Sequence, residues 1–119
     1  MSPAAFEAWC LSRPAAHKVV QWGGSSVYKI GPKVFAIAGL SRGDAPAYVF
    51  KVSDIAYELL IEHGFARPAP YLRGAKWVQL AGQDALPDEE LKAYIDQAHA
   101  LVAAKLTRAM RKDLGLAPA

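Results

Sequence analysis

Short apolar runs rich in β-branched and aromatic residues dominate the chain between residues 19 and 52. Glycine, proline and serine fill the segments between these runs, as tight turns require. The pattern predicts four strands, over residues 19–22, 27–30, 34–40 and 48–52. Connections this short force neighbouring strands to pair antiparallel, because a parallel crossover needs about a dozen residues or more.

Helix signals precede and follow these strands. Ser2 and Pro3 combine an N-cap residue with a proline at the first helical position, which predicts a helix ending near residues 13–14. Ser53 predicts the start of a second helix over residues 53–63, and Gly64 suits the position after its end. Pro87 opens a long final helix whose apolar residues recur every three or four positions: Leu91, Tyr94, Ile95, Ala98, Leu101, Val102 and Leu106.

Two further segments complete the predicted sheet. Residues 67–70 contain Pro68 and Pro70, which cannot donate backbone hydrogen bonds, so this segment is an edge strand or an extended loop. Residues 76–80 alternate like one more strand. The order helix, four strands, helix, one or two strands, helix predicts an α+β fold, an antiparallel sheet with helices packed on one face. We expect one domain over residues 1–119.

The composition fits a single domain with its own core, since 53% of the 119 residues are hydrophobic. The first residues lack the basic and apolar regions of a secretion signal, and no segment approaches the ~18 apolar residues of a membrane span. Cys10 is the single cysteine, and no Cys and His residues have metal-ligand spacing. We therefore expect a cytoplasmic protein without a metal or another cofactor.

Positive charge concentrates in the first two thirds of the chain. The formal net charge is +3. Residues 1–83 contain 9 Lys/Arg and 5 Asp/Glu, whereas residues 84–119 contain 5 and 6. This mildly basic balance is compatible with a polyanionic partner but does not require one.

Basic residues along the predicted strands form the main candidate site. If the strands form hairpins, these cations fall on loop tips and on the sheet face away from the helices, where they could follow a phosphate backbone. The candidate phosphate contacts are Lys29, Lys33, Arg42, Lys51, Arg73 and Lys76. The alternative is a solvated surface whose lysines protect exposed strand edges.

Aromatic residues could extend this site. Rings beside cations on an open face can stack on bases, whereas large rings in a small domain usually fill its core, which is the stronger expectation for each ring singly. Trp77 is the best stacking candidate, because it alternates with Lys76 and Val78 along one predicted strand. The aromatic residues in or beside the strands are Trp22, Tyr28, Tyr48, Tyr71 and Trp77.

The end of the predicted last helix carries a second basic group, Arg108, Arg111 and Lys112. Cations at the end of a helix that begins with acidic residues complement its macrodipole, which is a sufficient explanation. The alternative is a second patch of phosphate contacts.

Residues typical of catalysis are few. His17, His63 and His99 are scattered, Cys10 lies among apolar neighbours, and no serine has the pattern of a nucleophile elbow. Residues 23–26 lack the lysine and the following helix of a phosphate-binding loop. We expect a protein that is not an enzyme.

Several segments resemble the MmcQ/YjbR family in their order and spacing. The resemblance runs from the first helix to about Arg111 and implies a fold like that of the CyaY (frataxin) group, a double-wing arrangement and DNA binding. The segments that carry it are Trp22-Gly23-Gly24, residues 27–36, Pro70-Tyr71-Leu72, residues 76–80 and residues 86–91.

The sequence also departs from this family. Lys76 stands where such sequences often have histidine, and Ala98-His99 stands where Ser-Tyr is common, so no role of those side chains is carried over. Frataxins use an acidic ridge centred on the first helix for iron, and this first helix offers only Glu7. We do not expect iron binding.

These observations lead to two hypotheses. The first is a monomeric, non-catalytic nucleic-acid-binding module, with DNA as the expected ligand, which uses the basic hairpins and the open sheet face with Trp77 stacking. The alternative is a protein-interaction or small-ligand module with an aromatic sheet face. Salt distinguishes them, because phosphate contacts weaken steeply as salt rises and an apolar interface responds little.

Overall fold

The computed structural model describes residues 1–21, 23–39, 47–69 and 76–116, and the structural statements below concern these residues. Helices and strands follow the predicted order, with one additional helix. In chain order the elements are α1 (Pro3–Leu11), β1 (Ala16–Gln21), β2 (Ser25–Ile30), β3 (Lys33–Gly39), β4 (Ala47–Lys51), α2 (Asp54–Glu62), β5 (Ala66–Pro68), β6 (Trp77–Leu80), α3 (Asp88–Ala103) and α4 (Arg108–Asp113).

The strands form one antiparallel sheet in the order β1-β2-β3-β4-β6-β5. Consecutive strands from β1 to β4 pair with each other, as their short connections predict. The late strand β6 enters between β4 and β5, which leaves the proline-containing β5 at the edge. The α+β class, the antiparallel sheet and the edge strand are confirmed.

Strand β1 begins earlier than predicted, at Ala16 instead of Val19. Ala15 has a left-handed backbone with φ 59, and this turn directs the chain from α1 into the sheet before the β-branched residues start. The predicted ends of the first and third strands, at Trp22 and Leu40, lie outside the described residues.

Alternation along the strands divides the sheet into two faces. Helices α1, α2 and α3 all contribute buried side chains to a main core on the first face, which confirms that the helices pack on one side. Representative members of this core are Phe6 from α1, Tyr28 from β2, Phe50 from β4, Leu60 from α2, Val78 from β6 and Ile95 from α3.

Side-chain caps begin the first two helices as the sequence predicts. The Ser2 hydroxyl accepts a hydrogen bond from the Ala5 amide, and the Ser53 hydroxyl accepts one from the Ala56 amide, each at 3.2 Å. Gly64, with φ 76, follows the end of α2 in a conformation that residues with a Cβ rarely adopt. These caps place α2 directly after β4.

The prediction of one long final helix was wrong. Helix α3 ends at Ala103, and the separate helix α4 begins at Arg108. The hydroxyl of Thr107 accepts a hydrogen bond from the Met110 amide at 3.1 Å and so starts a new helix. The apolar periodicity continues across the break because Leu106 is buried in the main core. The last turn of α3 therefore carries no basic residue, and its macrodipole does not explain the basic C-terminal group.

Trp9 fastens α1 to α3. Its indole N–H donates to a carboxylate oxygen of Asp96 at 2.9 Å, and Arg13 forms an ion pair with the same carboxylate at 3.0 Å. The Arg13 guanidinium lies 3.9 Å from the ring centroid, and the Lys92 ammonium lies 4.8 Å from it. Two cations therefore contact the electron-rich ring of Trp9.

Two aromatic rings and the first residue join α1 to the centre of the sheet. Phe6 and Tyr48 stack with their ring centroids 4.1 Å apart. The Tyr48 hydroxyl donates to the Met1 carbonyl at 2.8 Å, and burial raises the pKa of Tyr48 to about 12.

Within the described segments, no helix combines the length and apolarity needed to cross a bilayer.

Glu7 links α1 to the first two strands. One of its carboxylate oxygens accepts hydrogen bonds from Lys18 at 2.8 Å and from the hydroxyl of Tyr28 at 3.1 Å. The Lys18 ammonium lowers the pKa of Glu7, although partial burial opposes this effect. Tyr28 is 1% exposed, so Glu7 is the acceptor for a hydroxyl in the main core.

Replacing Glu7 by Gln should lower the free energy of unfolding near pH 7 by about 0.5–1 kcal/mol, because the charge partner of Lys18 is lost at a partly exposed site. The folded-state pKa of Glu7 lies below its unfolded value, so its contribution is present above the unfolded pKa and disappears as the pH falls through the folded pKa. Urea unfolding at several pH values tests this. A difference that persists well below pH 4 would contradict the assignment.

Candidate nucleic-acid interface

The second face of the sheet carries a small apolar cluster to which no described helix contributes. Val27, Ile37 and Val49 form its buried centre, from β2, β3 and β4. Val34, Ala69 and Trp77 pack against this centre and are partly buried. The centre of this second face, which we expected to be open, is thus lined by apolar side chains that shield one another from solvent. The polar groups of the face surround them.

Trp77 and Lys51 are neighbours on this second face. They are paired residues in the antiparallel ladder between β4 and β6. Directly opposed residues of such a ladder project to the same side with their Cβ atoms about 5 Å apart. Both residues are half-buried, which leaves part of each side chain accessible. The predicted alternation is confirmed, since Val78 and Leu80 enter the main core while Trp77 faces the other way.

Lys29 lies on the same second face, on strand β2. It pairs with His17 in β1 and with Val34 in β3, and Val34 packs on the second-face cluster. The register shifts between Tyr28 and Lys29, which marks a bulge at this end of the hairpin. Lys29 is half-buried and His17 is exposed.

Three lysines meet near the end of β4. Lys105 and Lys33 are close enough to Lys51 for their positive charges to act on it, and the effect of Lys105 is the larger. Lys33 starts β3 just after the Gly31-Pro32 turn, and Lys105 lies in the connection between α3 and α4. Lys33, Lys51 and Lys105 are called the lysine cluster below.

The lysine cluster alters the acid–base behaviour of Lys51. Partial burial, followed by the ammonium groups of Lys105 and Lys33, lowers the pKa of Lys51 from 10.5 to about 8. None of the three lysines forms an ion pair within 4.0 Å of a carboxylate in the described part of the chain. In contrast, Arg13, Lys18 and Lys92 each have such a partner. The lysine cluster is therefore a place where positive charge is crowded.

Sequence reasoning missed Lys105 as a member of this site. The apolar periodicity predicts that residue 105 belongs to a continuous helix, where it would be an ordinary basic residue near the C-terminal end. The break after Ala103 instead places Lys105 in a short connection beside the β2–β3 turn. The neighbouring Leu106 lies close to Gly31, with its Cδ2 atom 4.0 Å from the position of a Cβ added there. Only the folded chain brings these segments together.

Lys76 does not lie with the other candidates. Its ammonium is 4.6 Å from the ring centroid of Tyr57, a residue of α2 that packs against the main core. Lys76 therefore belongs to the side of the sheet that carries the helices. The expectation that it lies on the face away from the helices was wrong, because residue 76 precedes Trp77 and side chains alternate along a strand.

Two of the candidate cations, Arg42 and Arg73, lie outside the described residues.

The second basic group, Arg108, Arg111 and Lys112, is only partly available for phosphate contacts. Arg111 donates to the Ala103 carbonyl at 2.6 Å and so ties α4 to the end of α3, whereas Arg108 and Lys112 are exposed.

The remaining aromatic and titratable residues are largely structural. Tyr28 and Tyr48 are each 1% exposed in the main core, as expected for rings in a small domain, while Trp22 and Tyr71 lie outside the described residues. His99 is buried, and its Nε2 atom lies 2.7 Å from the Pro14 carbonyl. Because a carbonyl only accepts, this nitrogen carries the proton.

Cys10 is fully buried in α1, and burial raises the pKa of its thiol well above the usual value. A buried, protonated thiol is a poor nucleophile. Across the described ranges, no three His, Cys, Asp or Glu side chains are grouped so that they could hold a metal ion.

A model of the YjbR family matches residues 11–101, more than half of the 119-residue chain. The chain belongs to the YjbR family. This YjbR protein is also similar in structure to the Deinococcus radiodurans protein DR2400, whose crystal structure contains a domain described as DUF419, with a TM-score of 0.84. The two chains are 22% identical, and the similarity covers 98% of this chain and 89% of the other. No curated protein matches the sequence.

These comparisons confirm the resemblance to the MmcQ/YjbR family, and the likeness to the Deinococcus radiodurans protein shows the shared fold. Neither description names a ligand. The function of this YjbR protein has to be argued from the arrangement of its own residues.

Replacing Lys51 by Gln should raise the free energy of unfolding at pH 7 by about 1 kcal/mol, after allowance for the solvent that reaches this half-buried side chain. The folded state disfavours the charged form, so between pH 8 and 10.5 the unfolded chain binds more protons and the wild type gains stability as the pH rises. The advantage of the variant should therefore shrink across that window.

Urea unfolding of both proteins from pH 6.5 to 10.5 tests this prediction. Lys29→Gln is the matched control, because Lys29 lies on the same face outside the lysine cluster. Equal effects of the two substitutions, or a loss of stability in Lys51→Gln at pH 7, would contradict the crowding of charge around Lys51.

Proposed function

We propose that this YjbR protein is a non-catalytic nucleic-acid-binding module, with DNA as the expected ligand, acting as a monomer in the cytoplasm. The proposed contact surface is the second face of the sheet together with the hairpin between β2 and β3. Lys29 and Lys51 on that face, and Lys33 on the hairpin, would contact phosphates, and Trp77 would stack on a base. The observation that carries the proposal is the pairing of Lys51 with Trp77 on a face to which no described helix contributes.

The arrangement suits a single-stranded ligand in particular. Proteins that bind single strands combine cations that follow the backbone with rings on which bases stack. Lys51 and Trp77 offer one cation and one ring at the spacing of directly opposed strand residues. Because every base has an aromatic face, this mode tolerates many sequences.

The charge distribution supports the same proposal. Lys29, Lys33 and Lys51 have no carboxylate partner within 4.0 Å in the described ranges, so binding a phosphate would not require an ion pair to be broken first. Exposed pairs elsewhere on the surface, such as Lys18 with Glu7, already satisfy their charge. A phosphate backbone would relieve the repulsion within the lysine cluster.

The double-wing arrangement implied by the family resemblance belongs to this proposal. The turn between β2 and β3, at Gly31 and Pro32, would form one wing next to the lysine cluster. Residues 40–46, which include the candidate Arg42, lie outside the described residues.

The test measures fluorescence anisotropy of labelled single- and double-stranded DNA and RNA at several salt concentrations. The variant Lys29→Gln, Lys33→Gln, Lys51→Gln changes the formal net charge from +3 to 0. It should bind more weakly and should flatten the dependence of log K on log salt by about 0.9 for each lysine that contacts double-stranded DNA and about 0.7 on single strands.

The matched control is Lys18→Gln, Lys76→Gln, Lys92→Gln, which changes the net charge equally but alters residues on the helix side. The control should keep most of the wild-type affinity. Equal losses in both variants would point to general charge attraction and would contradict the proposed face. Absence of binding by the folded wild type at low salt would refute the proposal, and a salt-insensitive partner would favour the protein-interaction or small-ligand alternative.

Replacing Trp77 by Leu should weaken binding to single-stranded DNA by roughly tenfold or more, since stacking on an aromatic side chain contributes about 1–3 kcal/mol per base. Leucine keeps apolar contact with the second-face cluster, so the fold should survive. Affinity for double-stranded DNA, whose bases are already stacked, should change less. Near-ultraviolet circular dichroism checks the fold, and equal losses for both ligands would contradict a stacking role.

A further inference from the structure

Gln79 is a buried polar residue on the second face whose side chain has no partner in the described part of the chain. It is 9% exposed and pairs in the sheet with Val49 of β4, a member of the second-face cluster. Its side-chain amide forms no hydrogen bond in the described ranges, where no side-chain polar atom is both sealed from solvent and unpaired. The amide therefore opens onto the surface of the second face, with its donor and its acceptor unused.

Gln79 lies between an aromatic ring and a cation. Trp77 precedes it by two residues on β6, so the two side chains project to the same face about 6.6 Å apart along the strand. Arg67 lies directly opposite Gln79 in the ladder between β5 and β6, and its side chain is exposed. A ring, an amide and a guanidinium thus occupy neighbouring positions on one face.

The chemistry of these groups matches the parts of a nucleotide. A ring such as Trp77 can stack on the face of a base, which leaves the edge of the base beside the neighbouring amide. The amide of Gln79 offers one acceptor oxygen and one donor nitrogen. Adenine presents the complementary pair, the N7 acceptor and the N6 amino donor, and glutamine pairs with this edge through two hydrogen bonds. Guanine and thymine offer only acceptors there and cytosine only a donor, so each satisfies one half of the amide.

We propose that Trp77 and Gln79 form one base-binding subsite and that Gln79 gives this subsite a preference for adenine. The inference rests on the nucleic-acid function proposed above and adds base recognition to it. Stacking on Trp77 supplies affinity for any base, whereas the amide of Gln79 discriminates among bases. Arg67 contacts a phosphate next to the bound base and so adds affinity without adding preference.

The first experiment measures fluorescence anisotropy of the full chain with short labelled single strands of about five nucleotides. All positions are thymine except the central one, which is adenine, guanine, cytosine or thymine. The strand with central adenine should bind roughly threefold to tenfold more tightly than the others, as expected for one additional hydrogen bond. In Gln79→Met, which keeps the length of the side chain and removes its hydrogen-bonding groups, this preference should disappear.

Modified adenines test the two hydrogen bonds directly. Purine lacks the 6-amino donor, and 7-deazaadenine has carbon in place of the N7 acceptor, while both keep a ring that stacks on Trp77. Each modification should weaken binding to the wild type by roughly threefold to tenfold. Each should have little effect on Gln79→Met, so the cycle isolates the interaction between the amide and the base.

Arg67→Gln is the matched control. Loss of a phosphate contact should weaken binding to all strands by the same factor and leave the adenine preference unchanged. Melting temperatures check the fold of both variants, and Gln79→Met should keep its apolar contact with Val49.

The outcomes separate this inference from the function on which it rests. Equal affinity of the wild type for all four central bases would overturn the adenine preference and leave the nucleic-acid function in place. Modified adenines that affect the wild type and Gln79→Met equally would also overturn the role of Gln79. Absence of binding to every strand would refute the nucleic-acid function and this inference with it.

Discussion

The backbone ladder between β4 and β6 is the interaction on which the candidate site depends. It brings a strand from late in the sequence next to the centre of the sheet and sets Trp77 opposite Lys51. A shift of one residue in this register would turn every side chain of β6 to the other face, exposing Val78 and burying Trp77. Core packing by Val78 and Leu80 opposes such a shift. The same alternation that completes the main core therefore presents the tryptophan on the second face.

The two sides of the sheet are stabilised in different ways. On the helix side, ion pairs and aromatic contacts fasten α1 to its neighbours, as at Glu7 and Trp9. On the second face, the apolar cluster is small and the nearby lysines lack described carboxylate partners. Among the described residues, ion pairs neutralise Arg13, Lys18 and Lys92 on the helix side, whereas Lys29 and Lys51 on the second face have no carboxylate partner within 4.0 Å. This asymmetry is what distinguishes a possible contact surface from the rest of the molecule.

Much of the fold could be predicted from local sequence features. Ser2 and Ser53 mark helix starts because their hydroxyls cap backbone amides, and Pro68 marks an edge strand because it cannot donate to a ladder. The break before Thr107 was not predictable from periodicity, since Leu106 is apolar at the position that a continuous helix would bury. For the site, the alternation of side chains along a strand correctly predicted that Trp77 and Val78 lie on opposite faces of the sheet. The meeting of Lys51 with Lys105 depends on tertiary packing between segments far apart in sequence.

The break between α3 and α4 has a consequence for the motions of the protein. Short terminal helices are commonly among the first segments to open in native-state hydrogen exchange, because few buried contacts hold them. Helix α4 has no buried residue of its own; Leu106 before it and Leu114 and Leu116 after it contact the main core, and the Arg111 side chain bonds to the Ala103 carbonyl. Each opening of this helix would release the connection that carries Lys105. Such an opening would lower the charge density beside Lys51, and a ligand that contacts Lys105 would then slow amide exchange in α4.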